Sequence, residues 1–296
     1  MEDKKDMEIT DDDMEIIGVH EALTEAQKKA AVSDYAGAKE ILEEVIKKLE
    51  NSPKYNDPGT EYHTFAAPIE QVLYVNEHGA DKRFETAGEA FATLYLTYGD
   101  LLLGMEDIKG AKAAFEKAIK WNPVNPNLRL EYAEAFRAEG DTEGFFNASV
   151  DAHKTAYTKE YLGRIYRNIG YYFIEKEMWD EAMAAYVLSL NLDSSSKDAA
   201  KEIDYIQEKT DGKTRIPSQE DIKKVGEEHG FPTEANDSIV GLSAYYGHKA
   251  LDDGRKDVAQ YFLSIAYDLT GDSNIKEMLE GMAEGDGEEE LEESEE

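Results

Sequence analysis

The chain contains no cysteine, which excludes disulfides, thiolate zinc sites, iron–sulfur clusters and a cysteine nucleophile together. Basic residues are scarce: 32 Lys and Arg stand against 65 Asp and Glu, for a net charge of −33. A field of that sign repels the phosphates of DNA and RNA and argues against nucleic acid as a partner. No run approaches ~18 consecutive apolar residues, so no membrane span is expected. The start, Met1-Glu2-Asp3-Lys4-Lys5-Asp6, has neither the basic opening nor the apolar stretch of a secretory signal. From these absences a soluble cytoplasmic protein, with neither membrane nor nucleic acid as a partner, is the expectation.

The acidic excess is uneven. Residues 1–25 carry ten acids against Lys4 and Lys5, and residues 277–296 carry eleven acids and no base. Such ends repel themselves and hold few apolar groups, so residues 1–12 and 285–296 are expected to be disordered. Hydrophobic residues still make up 41% of the chain, enough for a substantial core between the two ends.

Proline is limited to seven residues, and β-branched alternation is hard to find. Apolar residues instead recur three and four apart, as in Ile41, Leu42, Val45, Ile46 and Leu49, which is the helical period. Gly104, Gly140, Gly230, Gly254 and Gly271 stand where helices should stop. Asn125-Pro126 predicts a helix start with proline in its first turn, and Ser218 with Asp221 predicts a capping box.

A repeat emerges when small residues twelve positions apart are paired. Gly99 goes with Ala111, Gly170 with Ala182, Gly247 with Ala259, and Ala26 with Ala38; four positions after each second member stand Phe115, Tyr186, Leu263 and Leu42. Small side chains let two antiparallel helices cross closely, and the large residue fills the space beside the crossing. Ala111 and Ala182 should therefore be intolerant of bulk. The clear hairpins lie 73, 71 and 77 residues apart from Ala38 to Ala111 to Ala182 to Ala259. A further, degenerate unit is expected in each gap. The one in the second gap is visible as Leu130, Ala133, Phe136 and Gly140, with Phe145 where a small residue belongs.

The hairpin Ala92–Asn125 resembles a tetratricopeptide repeat through Tyr95, Tyr98-Gly99, Leu102, Ala111, Phe115 and Pro123. Gly163–Ser196 resembles it through Tyr166, Ile169-Gly170, Phe173, Ala182 and Tyr186, with Ser195 where proline is common. Val240–Thr270 matches through Tyr246-Gly247, Ala250, Gly254, Ala259 and Leu263, whereas Val19–Leu49 departs at Glu25 and Lys29. Trp121-Asn122-Pro123-Val124-Asn125 also resembles phrases of uncharacterised tetratricopeptide proteins of anaerobic prokaryotes. The resemblance implies an all-α solenoid of antiparallel helical hairpins, some of them degenerate, with flexible acidic termini. The expected segments are an acidic start at 1–18 and a solenoid at 19–209. A connecting stretch with a short helix follows at 210–238, then a hairpin with a capping helix at 239–284 and an acidic tail at 285–296.

Catalytic chemistry is hard to find. The six histidines never share a helix at a spacing of three or four, as a helical metal pair requires. They read as surface residues. No glycine-rich loop follows a strand and no serine sits in a nucleophile elbow. We expect no enzyme, no catalytic residue, no metal and no cofactor. Arginine is more telling, because four of the seven lie close together: Arg129, Arg137, Arg164 and Arg167. The resemblance implies that first helices line a concave groove, which places Arg164, Arg167 and Tyr171 on it, with Arg137 from the preceding unit. Family members that hold a peptide's C-terminal carboxylate use Lys, Arg and Asn there. Arg164 and Asn168 match two such places, while Leu130 and Glu134 depart from the pattern one unit earlier. The candidate partner-binding residues are thus Arg137, Arg164, Arg167, Asn168 and Tyr171. The competing reading pairs these arginines with nearby acids. The expected function is a protein- or peptide-binding scaffold; the alternative is a regulatory receptor for a small anionic ligand or signalling peptide.

Overall fold

The computed structural model of the chain describes residues 17–79 and 83–282. The acidic ends expected to be disordered lie outside these residues. Among the described residues no helix is long and apolar enough to cross a membrane. The helices group into two compact units.

In the first unit α1 (Val19–Ala31) and α2 (Tyr35–Asn51) form one antiparallel hairpin, and α4 (Phe91–Gly104) and α5 (Ile108–Trp121) form another. Helix α3 (Pro68–His78) intervenes in sequence but belongs to the second unit. Two strands of two residues, β1 (Tyr62–His63) and β2 (Glu85–Thr86), pair in parallel, with Tyr62 opposite Glu85. The sequence had pointed to no strand, since two residues are too few to show an alternation. Helix α1 opens at Gly18, which has no side chain to cap it. Glu89 supplies the missing acceptor from 70 residues away, taking the backbone N–H of Gly18 at 3.0 Å and of Val19 at 2.6 Å.

The second unit begins, beyond α3, with the hairpin α6 (Pro126–Glu139) and α7 (Thr142–Ala152). After a 3-10 turn at His153–Thr155 come α8 (Lys159–Glu175) and α9 (Trp179–Leu192), then α10 (Lys197–Lys209) and α11 (Gln219–His229). The hairpin α12 (Asp237–Asp252) and α13 (Lys256–Thr270) follows. Hairpin stacks on hairpin in the manner of an α-solenoid: α7 lies against α8, and α9 carries both α10 and α11. Asn125 caps α6, with Pro126 in its first turn, and Ser218 with Asp221 forms the capping box of α11.

The crossings follow the predicted small residues. Ala111, Ala182 and Ala259 are fully buried. A Cβ added to Gly99 would lie 2.5 Å from the Phe115 ring, and one on Gly170 would lie 2.6 Å from the Tyr186 ring. The degenerate hairpin α6–α7 reverses this arrangement. Its glycine, Gly144, is on the second helix, where a Cβ would meet Phe136 of the first at 2.3 Å. Phe145 is thereby released to face the next hairpin, edge-on to Tyr171 with ring centroids 5.7 Å apart.

The turns inside the hairpins share one geometry that the glycines only partly betray. Ser33, Glu106, Gly140, Glu177 and Gly254 all take a positive φ immediately before the first residue of the next helix's cap. Gly104 is not such a stop; it is the last residue of α4, and the turn comes at Glu106. Asp34, Asp107 and Asp141 then cap α2, α5 and α7, each accepting the N–H of the glycine three residues on. That Asp-x-x-Gly pattern is a readable signal, since a side-chain oxygen at this place satisfies an otherwise unpaired helix donor.

A buried carboxylate organises the start of the second unit. Glu70 of α3 is completely inaccessible. Its Oε2 accepts the N–H of Ala66 at 2.6 Å and of Ala67 at 3.3 Å, closing the helix start back on itself. Its Oε1 accepts from Asn125 Nδ2 at 2.8 Å and from the Tyr157 hydroxyl at 3.0 Å. Burial, and then the adjacent Glu70, push the Tyr157 phenol far above its ordinary value, so it remains a donor.

Candidate functional site

Helix α8 divides into two faces. Leu162, Ile165, Tyr166, Ile169 and Phe173 are buried, three and four residues apart, while Arg164, Arg167 and Tyr171 are part-exposed on another stripe. The neighbouring first helix, α6, offers Asn127, Glu131 and Glu134 to that stripe. Arg164 Nη1 donates to Glu131 Oε1 at 2.7 Å and to Asn127 Oδ1 at 3.4 Å, and its Nη2 lies 3.8 Å from Glu134 Oε1. Arg137 Nε donates to the other oxygen of Glu134 at 2.6 Å, and its guanidinium lies 5.9 Å from the Tyr171 ring centroid. Burial, then the charge of Glu175, raise the Tyr171 phenol above its ordinary value against the pull of Arg137.

Three predicted residues, Arg137, Arg164 and Tyr171, are therefore gathered around Glu134. Arg167 stands beside them on α8 but turns to α9, where its Nη1 donates to Ser189 Oγ at 3.2 Å. Asn168 is buried between α8 and α7, its Nδ2 donating to Ser149 Oγ at 3.0 Å. Arg129 lies apart from the group and pairs with Asp151 at 2.8 Å. The array is a ladder of alternating charges and not a purely basic island, because Glu131 and Glu134 enter from a helix one repeat back.

A second concavity lies wholly within the first unit and was not legible in the sequence. A cleft of about 700 Å³ opens between the end of α2, the loop after it, α4 and the end of α5. Tyr55, Tyr62, Tyr95 and Trp121 form its aromatic walls. Tyr55 is the hub: its ring meets Tyr62 at 5.1 Å, Trp121 at 6.1 Å and the fully buried Phe91 at 4.7 Å between centroids. His63 lies at the rear, nearly inaccessible, with Nε2 2.9 Å from Glu61 Oε1 and Nδ1 3.3 Å from the Trp121 carbonyl oxygen.

His63 and His153 thus depart from the expectation of surface histidines. His153 is buried, with Nε2 2.8 Å from the carbonyl oxygen of Glu234. Burial lowers its pKa below the usual 6.5, against the opposing effect of that carbonyl. A histidine that is harder to protonate folded than unfolded binds protons preferentially in the unfolded chain, so stability falls as pH falls below that usual value. We expect the melting temperature to drop between pH 7 and pH 5. In His153→Gln, which keeps an N–H for the Glu234 carbonyl but cannot titrate, the drop should be smaller. An equal drop in both proteins would assign the pH dependence to other groups.

The family comparison places this geometry. The profile described as tetratricopeptide repeat matches residues 92–125, the span of α4, α5 and the turn that follows. No curated protein matches the chain. Among solved structures, the pilF protein of Pseudomonas aeruginosa is similar at 12% identity and a TM-score of 0.46, over 89% of this chain and 96% of that one. The C-terminal part of a tetratricopeptide repeat-containing protein from Cytophaga hutchinsonii shares 13% identity at a TM-score of 0.38, over 88% and 98% of the two chains. A tetratricopeptide repeat protein from Parabacteroides merdae shares 13% at 0.34, over 90% and 98%. Tetratricopeptide proteins generally mediate protein–protein interactions and are typically non-catalytic scaffolds. The hairpin of α4 and α5 at residues 92–125 thus matches a tetratricopeptide repeat, set in a chain of stacked helical hairpins.

Proposed function

We propose that the protein is an adaptor that holds an extended peptide or partner segment on the face shared by α6 and α8. The observation that supports this reading is the ladder in which Glu134 lies between Arg137 and Arg164, beside Tyr171. Part-exposed ion pairs of this kind contribute only about 0–1 kcal/mol each. A carboxylate arriving on a partner can therefore displace Glu134 from either guanidinium at little cost, and arginine's planar fork can grip it at two points. Glu131 and Glu134, once released, would in turn meet cationic side chains of the same partner. The reading thus favours a peptide that carries both charges, with Tyr171 offering a ring on which a side chain can rest. Arg167 flanks the ladder, and the buried Asn168 holds α8 in place against α7.

The test is affinity capture from the native organism, followed by titration of the captured partner against the parent and the Arg164→Glu, Arg167→Glu double variant. Charge reversal should weaken binding at least tenfold. The helical signal and melting temperature should stay near those of the parent, since both side chains are part-exposed. Binding that survives the change would return the arginines to a purely structural role.

A further inference from the structure

We propose that the aromatic cleft of the first unit is a binding site for a small anion that carries a flat ring, such as an aromatic carboxylate or a nucleotide phosphate. The inference is independent of the α6–α8 face, which lies in the other unit.

Size and lining come first. The cleft, at about 700 Å³, falls within the size range of small-molecule sites, and its lining is polar and aromatic in about equal measure. Tyr55, Tyr62 and Trp121 are part-exposed in it, backed by the fully buried Phe91. Their mutual contacts at 4.7–6.1 Å hold the rings in place, so a flat ligand meets preorganised aromatic surface and little side-chain entropy is lost on binding.

Charge decides the class of ligand. Three carboxylates line the cleft, and each is already engaged within the protein. Glu50 accepts from the Tyr95 hydroxyl at 3.0 Å and from Lys117 Nζ. Glu61 meets the buried His63. Asp57 accepts from Gly59 N and Thr60 Oγ1, both at 3.1 Å, inside its own turn. The cations are less committed. Lys120 and Arg83 also line the cleft, and among the described residues neither forms a salt bridge. Lys120 stands one helical turn beyond Lys117 on α5, beside Trp121, so the two ammonium groups share a face. In a molecule of net charge −33, the three cations only balance the three lining carboxylates, with Glu85 beside Tyr62 as a further acid. An anion is therefore held here by direct contact with Lys120 and Arg83 and not by the surrounding field. The uncommitted chemistry is thus a ring surface and two positive charges, which is the complement of a planar ring bearing an anionic group.

The two tryptophans of the chain, Trp121 and Trp179, give a site-specific test. Trp121 lines the cleft, whereas Trp179 lies on α9 in the other unit. The full chain labelled with 5-fluorotryptophan should show two fluorine resonances, assigned with Trp179→Phe. Adenosine monophosphate and phenylacetate are the probes, with uncharged adenosine and phenylacetamide as controls. At least one anion at millimolar concentration should shift the Trp121 resonance saturably and leave Trp179 in place. Its neutral counterpart should bind at least tenfold more weakly, a difference of about 1.4 kcal/mol. A response to the nucleotide alone identifies phosphate as the anion recognised, and a response to phenylacetate alone identifies carboxylate. The Arg83→Ala, Lys120→Ala double variant should lose that tenfold preference, with a helical signal and melting temperature equal to the parent's certifying the fold. The proposal fails if neither anion shifts Trp121, if anion and neutral bind alike, or if the double variant binds as the parent does.

Discussion

Replacing Glu70 by alanine should lower the stability of the protein by roughly 3–5 kcal/mol, among the largest effects of any single truncation outside the apolar core. The reason lies in what is left behind. Four donors converge on this carboxylate: the N–H groups of Ala66 and Ala67, the Asn125 amide and the Tyr157 hydroxyl. Glu70 is fully inaccessible and Asn125 and Tyr157 are both buried, so water cannot readily replace the lost acceptor. A buried donor without a partner costs about 1–3 kcal/mol, and relaxation of the exposed Ala66 should spare part of the sum. Glu70→Gln should fall between parent and alanine. Its oxygen can serve one pair of donors, but its amide must then confront the other pair. On the Oε1 side only Tyr157 can adapt by rotating its hydroxyl, because the Asn125 oxygen is held by Asn127 N at 2.9 Å. Urea denaturation of the three proteins measures the order. An alanine variant within about 1 kcal/mol of the parent would show that the four donors find other acceptors.

The hairpins were legible because their signal is local and periodic. Gly99 with Ala111 and Gly170 with Ala182 are fixed by two adjacent helices in one crossing, and the spacing repeats wherever the crossing does. Caps such as Asn125-Pro126 and Ser218 with Asp221 are likewise readable within four residues. The turns were read less well, since Glu106 and Glu177 hold the left-handed backbone at positions where glycine would have announced it. What stayed hidden depends on residues far apart in sequence. Glu89 caps a helix 70 residues away, and Glu70 collects donors from as far as Tyr157. The candidate arginines were found, but not their partners. Glu134 read as a departure from a carboxylate-holding pattern, yet it is the acid that joins Arg137 to Arg164. The aromatic cleft needs a loop, two helix ends and Arg83 to meet, and no spacing in the sequence encodes that.

Gly170→Ala should destabilise the protein by roughly 1–3 kcal/mol, although the same change in a free helix stabilises it by about 1 kcal/mol. Helix propensity favours alanine at any interior helical position, so the sign must come from packing. The new Cβ would lie 2.6–2.8 Å from three carbons of the Tyr186 ring, closer than two carbons tolerate. The ring cannot swing aside into solvent, because Tyr186 is only 2% exposed. Nor can α9 yield easily, since Ala182, Met183, Ala184 and Ala185 are all fully buried and the helix is packed on nearly every side. The strain must then be taken up by separating α8 from α9, which loosens the central crossing of the second unit. Gly241 in α12 is the matched control. It is helical and exposed, and its added Cβ would have nothing within 4 Å. Gly241→Ala should therefore stabilise by about 0.5–1 kcal/mol. Melting temperatures that move in opposite directions for the two alanines would confirm that the crossing requires glycine. A rise for both would mean that helix propensity outweighs the contact and that α8 and α9 can part without loss.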